Sequence, residues 1–186
     1  MILQSDTNLM LDFAGGDISA FEQIMIKYKK LVMNVAFRYV QDKGLAEDIT
    51  QDVFMKIYNS ADSYKPKAAL STWIYRITVN HSLNKLRKIK KIKTISLASI
   101  GEISDSDKNF FPAENMENSE LTNFIRNAVA SLPHRQQTAV ILKKYEKLSY
   151  DEIAKIMNCT IPAVDSLLQR AKENLKIKIS PIVTAK

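Results

Sequence analysis

The stretch from Leu148 to Leu175, LSYDEIAKIMNCTIPAVDSLLQRAKENL, reads as two helices joined by a tight turn. Ser149 stands three residues before Glu152, with Leu148 before it and Ile153 after the glutamate. This spacing is that of a capping box. The Ser149 hydroxyl accepts from the backbone N–H of residue 152 and the Glu152 carboxylate accepts from the Ser149 N–H. Leu148 and Ile153 take the hydrophobic-staple positions. Asn158 suits the left-handed residue that ends a helix. Thr160 then caps a second helix, whose first turn tolerates Pro162. In that helix Ile161, Val164, Leu168, Ala171 and Leu175 recur at steps of three and four, which predicts one apolar face. The opposite face carries Ala163, Asp165, Ser166, Gln169, Arg170, Lys172 and Glu173. A short capped helix, a tight turn and an amphipathic helix with a mixed polar face fit a DNA major groove. The same spacing also serves helical hairpins in folds that never touch nucleic acid.

Composition narrows the choice. Gly and Pro number only 4 and 5 in 186 residues, against an apolar content of 46%. Those figures argue for long helices around real cores and against a turn-rich all-β chain. The formal net charge of +7 favours a polyanionic partner. One cysteine, Cys159, forms no internal disulfide, and the cytosol is the expected compartment. No stretch approaches the roughly 20 apolar residues of a membrane span. Met1 to Asn8 lacks the basic and apolar regions of a signal peptide.

The pattern is helical almost throughout and predicts an all-α chain of two small domains. A short leading helix lies around Leu9 to Ala14, followed by Gly15 and Gly16. Asp17 caps a helix to about Val40, with Phe21, Ile24, Met25, Tyr28, Leu31, Val32, Val35 and Ala36 inward. A third helix runs from about Ala46 to Ser60 on Ile49, Val53, Phe54, Ile57 and Tyr58. After a polar loop from Ser60 to Ala69, a fourth helix starts near Ser71 and runs out near Lys91, a length of about 30 Å. Thr94 to Asn118 has no sustained period. It carries Glu102, Asp105, Asp107, Glu114 and Glu117 against Lys108 alone. It reads as an acidic linker, 94–118, between domains at 1–93 and 119–186. Beyond it, helices are expected from about Ser119 to Ala130 and from Leu132-Pro133 to near Tyr145, before the capped pair.

Six of the nine residues from Lys85 to Lys93 are basic. Such density repels itself unless an anion is near, so phosphate contact is its natural use. Cations complementing a helix C-terminus explain two or three lysines better than six. Upstream lie Trp73, Tyr75, Arg76 and Asn80, and before them Tyr64, Lys65 and Lys67. Aromatic, cationic and amide groups together suit unstacked bases as well as backbone. Trp73 at helical spacing from Ile77 reads as core rather than as a stacking platform. Arg76 and Asn80 are the better contacts, because burial would leave them unsatisfied. Asp48, Gln51, Asp52 and Met55 share one face of the third helix. Acids in a first turn follow from the helix dipole alone, and the ordinary solvated face is the plainer reading. No catalytic constellation is present. His81, His134 and Cys159 are scattered without metal-ligand spacing, and no cofactor is expected.

These segments resemble a family. Leu45-Ala46-Glu47-Asp48-Ile49-Thr50-Gln51-Asp52-Val53-Phe54 is similar to region 2.2 of bacterial sigma-70-type RNA polymerase sigma factors. Ser71-Thr72-Trp73-Ile74-Tyr75-Arg76-Ile77, with Asn80 and Arg87, is similar to regions 2.3 to 2.4. Leu132-Pro133, Gln136-Gln137, Leu148 to Ala154 and Gln169-Arg170-Ala171-Lys172 are similar to region 4. Regions 1.1 and 3 have no counterpart, so the resemblance is to the extracytoplasmic-function (ECF) subfamily. It covers about residues 8 to 92 and 118 to 178.

The resemblance implies roles. Asp48, Gln51, Asp52 and Met55 would dock on the clamp helices of core RNA polymerase. Tyr64, Lys65, Lys67, Arg76 and Asn80 would capture a flipped −10 base and hold the melted strand. The basic run, with Lys85, Arg87 and Lys88, would grip phosphates there. Thr160, Ala163, Asp165, Ser166, Gln169, Arg170 and Lys172 would face the −35 element of promoter DNA. The linker would thread toward the polymerase active-site and RNA-exit channels, and an anti-sigma factor would hold the protein inactive. Asp165 and Leu167 depart from the Lys and Arg common in the family, and Asn84 stands where Asp is common. Asp165 opposes phosphate yet could accept from a cytosine amino group. A stand-alone helix-turn-helix regulator and a basic RNA-binding or scaffold protein are the competing expectations. The first would be indifferent to changes at Asp48, Gln51 and Asp52. The second would show no preference for spaced duplex elements.

Overall fold

A computed structural model describes residues 6–64, 69–99 and 119–183, with side chains to 92 in the second stretch and from 121 to 180 in the third. Its helices are α1 Asp6–Ala14, α2 Ile18–Val40, α3 Lys43–Tyr58, α4 Leu70–Ser99, α5 Ser119–Ala130, α6 His134–Val140, α7 Tyr150–Met157 and α8 Ile161–Val183. A 3-10 turn, Ala61–Ser63, follows α3, and α6 runs on as a π turn, Ile141–Tyr145. No strand occurs among the described residues. The chain forms two compact units, one holding α1–α4 and the other α5–α8.

In the first unit the spacing of Ala20, Ile24, Tyr28, Val32, Ala36 and Tyr39 buries one stripe of α2. Ile49, Val53 and Ile57 of α3 and Leu70, Ile74 and Ile77 of α4 close on it, with Met10 and Phe13 of α1. Phe13 stacks on Phe21 at 4.8 Å between ring centroids, and Tyr58 leans on both rings. That contact explains why Tyr58, expected inward, sits at the rim of the core instead. Met25, also expected inward, is 37% exposed. One residue past Ile24, it is turned about 100° around the helix, away from the buried stripe. Asp6 of α1 accepts hydrogen bonds from the Lys27 ammonium and, at 2.6 Å, from the Tyr28 hydroxyl. These ties fasten α1 to α2.

Helix boundaries follow caps. Asp42 Oδ1 accepts from the Leu45 N–H at 2.7 Å, so α3 begins at Lys43, three residues before the sequence suggested. The fourth helix continues through Thr94–Ser99 instead of stopping near Lys91, so the linker expected at 94–118 starts inside it. No Gly or Pro interrupts those residues, and the nearest breaker is Gly101. The rest of the acidic stretch, with Glu102, Asp105, Asp107, Glu114 and Glu117, lies outside the described residues, as do Lys65 and Lys67.

The second unit packs Val129 and Leu132 against Val140 and Ala171, with Leu168 and Leu175 at its edge. Ile141, Leu142, Ile153 and Val164 are fully buried there. Ile161, expected on the apolar face of α8, is 47% exposed. It is the first residue of α8.

Candidate nucleic-acid interface

On α3, Ile49, Val53 and Ile57 are buried while Asp48, Gln51, Asp52 and Met55 face solvent. Met55 is 58% exposed, an apolar group standing among acids. Asp48 does not stand apart from the basic run. Its Oδ2 accepts from Lys85 Nζ of α4 at 3.2 Å. Acidic strip and cationic strip thus meet edge to edge across the α3–α4 contact.

Along α4, Arg76, Asn80, Asn84, Arg87 and Lys88 are exposed and fall three to four residues apart or at multiples of that step. They form one polar stripe. Arg87 Nη1 donates to Asn84 Oδ1 at 3.3 Å. The buried face of the same helix carries Thr78 and Ser82, whose hydroxyls donate to the carbonyls of Ile74 and Thr78 at 2.8 Å. Those internal bonds let two polar residues sit in the core without orphaned groups. Tyr64 and Trp73 meet at 5.4 Å between centroids, and both pack on the first core. Burial raises the Tyr64 phenol above its usual range. Tyr64 is thus half-buried against the core.

In the second unit the capping box is complete. The Ser149 N–H donates to Glu152 Oε2 at 2.7 Å, and the Glu152 N–H donates to Ser149 Oγ at 3.2 Å. The backbone bond from Ser149, then its hydroxyl, holds the Glu152 carboxyl below the usual range. Asn158 ends α7 in the left-handed region at φ 49° and ψ 57°. Thr160 Oγ1 accepts from the Ala163 N–H at 3.4 Å, a long cap, and α8 begins.

The exposed face of α8 presents Ser166, Gln169, Arg170 and Lys172, with Ala163 and Asp165 half-covered. Asp165, Gln169, Lys172 and Lys176 line one wall of a groove of about 720 Å³, and Lys143 and Lys144 line it from the π turn. Lys143 is held there. Its ammonium donates to the Leu148 carbonyl at 3.2 Å and lies 4.9 Å from the Tyr150 ring centroid. Sequence reading missed Lys143 and Lys144. Their doublet was visible, but only the packing of the π turn against α8 brings them to this groove. Among the described residues no group of His, Cys, Asp and Glu could hold a metal ion.

Two family matches fall on these two surfaces. Residues 24–92 match Sigma-70 region 2, and residues 125–175 match Sigma-70, region 4. The ECF RNA polymerase sigma-E factor of Haemophilus influenzae is 33% identical over 185 residues, spanning 96% of this chain and 97% of that one. The sigma-E factor of Escherichia coli K12 is 32% identical over 174 residues, spanning 90% and 91%.

The chain belongs to the ECF group of sigma-70 factors.

RNA polymerase sigma-H factor of Pseudomonas aeruginosa, 28% identical over 191 residues, is similar along 97% of this sigma factor and 96% of its own length. Two solved structures share its fold. RpoE from Bartonella quintana, in complex with the anti-sigma factor NepR, gives a TM-score of 0.64 at 22% identity, over 88% of this chain and 98% of that one. CnrH, in complex with the cytosolic domain of CnrY, gives 0.67 at 17% identity, over 98% and 99%. The region 2 match is what separates this sigma factor from a stand-alone helix-turn-helix regulator, which would need only the second unit. No helix of the described residues is long and apolar enough to cross a membrane.

Proposed function

We propose that this sigma factor docks on core RNA polymerase through Asp48, Gln51, Asp52 and Met55, and reads promoter DNA with two separate surfaces. Arg76 and Asn80 contact unstacked bases of the −10 element, while Lys85, Arg87 and Lys88 hold its phosphates. The polar face of α8, from Thr160 to Lys172, reads the −35 element. The protein supplies positioning and catalyses nothing itself. It works in the cytoplasm, where the polymerase is. One observation carries the reading: inside the region 2 match, α3 buries one face completely and turns an acidic strip with a bare methionine to solvent.

The physics of two modules favours this arrangement. Each surface alone binds DNA weakly. Held on polymerase at a set separation, the second contact becomes intramolecular. Melting the −10 element costs a few kcal/mol per unstacked base, offset by pocket contacts and phosphate charge. An anti-sigma partner is proposed by likeness to RpoE and CnrH, both solved with a protein partner bound.

Run-off transcription with core polymerase tests the whole reading, and co-elution with core on gel filtration tests its first step. The Asp48→Ala, Gln51→Ala double variant should lose at least tenfold in core affinity while its circular dichroism stays that of wild type. Wild-type core affinity in that variant would count decisively against the assignment.

A further inference from the structure

Asp165 and Gln169 stand one turn apart on the exposed side of α8, and Gln169 Nε2 donates to Asp165 Oδ2 at 3.1 Å. Between them Ser166 turns its hydroxyl to the Pro162 carbonyl at 3.0 Å, leaving only acceptor capacity for a ligand. Arg170 and Lys172 offer only donors. Of these five residues, Gln169 alone presents an acceptor and a donor in one rigid plane.

The carboxylate decides which way that plane faces. An ionised Asp accepts and never donates. It holds the NH₂ end of the Gln169 amide and repels the carbonyl end, so the amide does not flip. One N–H is spent on Asp165. The second N–H and Oε1 are left in fixed order. The major-groove edge of adenine asks for that order, since N6–H donates to Oε1 while N7 accepts from Nε2–H. Guanine presents two acceptors there and would set O6 against Oε1.

We propose that Asp165 is a positioning residue for Gln169 and that the pair reads an adenine in the upstream promoter element. The inference rests on the promoter-reading function proposed above and goes beyond it in naming a base. It also accounts for an acid on a face proposed to meet DNA: Lys143, Lys144, Lys172 and Lys176 line the same groove and offset its charge. Asp165 then serves by its geometry, at some cost in general affinity.

The test is selection of bound duplexes by reconstituted holoenzyme from a library randomised in the upstream element. Wild type should enrich adenine over guanine about tenfold at one position. Gln169→Ala should lose that preference there and nowhere else. Asp165→Ala should lose most of it while binding the library as a whole more tightly. Asp165→Asn presents a donor as well as an acceptor, so it no longer forbids the flipped amide, and it should keep only part of the preference while losing the charge. All three changes fall on exposed or half-exposed side chains, and thermal melts check that the fold is kept. An adenine preference intact in Asp165→Ala overturns the positioning role. A profile that Gln169→Ala leaves unmoved overturns the pair as reader. If wild-type holoenzyme enriches no upstream element at all, the promoter-reading function itself has failed.

Discussion

The hydroxyl of Ser149 accepts from the Glu152 N–H in the first turn of α7, and its loss should be measurable. Ser149→Ala is expected to destabilise the second unit by about 1 kcal/mol, read as a lower urea midpoint. Glu152 adds a pH dependence. Its folded pKa is depressed, so its contribution is full above the unfolded value of about 4.3 and fades as pH falls through the folded one. The gap in urea midpoint between wild type and Glu152→Gln should therefore be open at pH 7 and closed near pH 3. A gap that persists unchanged into acid would mean that the carboxylate charge plays no part. Tyr28 gives the opposite sign. Burial first, then the bond to Asp6, pushes its phenol well above the usual range. Stability from this group is full below about pH 10, the unfolded value, and is lost as pH rises toward the folded one. Burial also pushes the Asp6 carboxyl up, but the bonds from Lys27 and Tyr28 outweigh it and leave the group below its usual value. Tyr28→Phe should cost roughly 1 kcal/mol at neutral pH and remove the part of the alkaline loss that belongs to this ring.

Between residue and domain, the helix termini show what a sequence can disclose. Ser149, Glu152, Asn158 and Asp17 were legible because each acts on a backbone group within four residues of itself. Asn158 makes a direct prediction. It holds φ 49° without being Gly, so Asn158→Gly should leave stability equal or slightly higher. Asn158→Ala should lower it by about 1 kcal/mol, since a Cβ disfavours that region and Ala lacks the local polar compensation of Asn. Equal urea midpoints for the two variants would show that α7 ends for another reason. Other features depend on distant contacts and were out of reach. The Asp48–Lys85 bond links residues 37 apart in sequence. The π turn that carries Lys143 and Lys144 to the α8 groove has no local signature in ILKKY. The cap at Asp42 is masked in the sequence by Gly44 two residues on, a poor helix former inside the first turn. At the candidate site, composition disclosed the exposed stripe of α4, whereas the half-buried setting of Tyr64 arises from tertiary packing on Trp73 and the first core.

The whole molecule divides into two units with separate cores, and composition alone showed the division through the acidic stretch after α4. α4 runs on into the first residues of that stretch, because nothing in Thr94–Ser99 prevents a helix even though Thr and Ser suit loops. If promoter selectivity comes from polymerase fixing the distance between two readers, each unit must keep its fold without the other. Trp73 is the only tryptophan of the chain and packs on the first core, so its fluorescence follows that unit alone. Far-ultraviolet circular dichroism follows the helices of both. Ile49 and Ile153 are each essentially fully buried, one in each unit. Truncating either to Ala should cost about 2–5 kcal/mol through lost burial and a residual cavity. Ile49→Ala is expected to lower the fluorescence midpoint in urea. Ile153→Ala should leave that midpoint where it is and introduce an earlier dichroism transition. The double variant should show the sum of both shifts, as for sites that share no partners. A fluorescence midpoint dragged down by Ile153→Ala would mean that the two units unfold as one cooperative body, and two readers whose separation polymerase sets could not then be independent folding units.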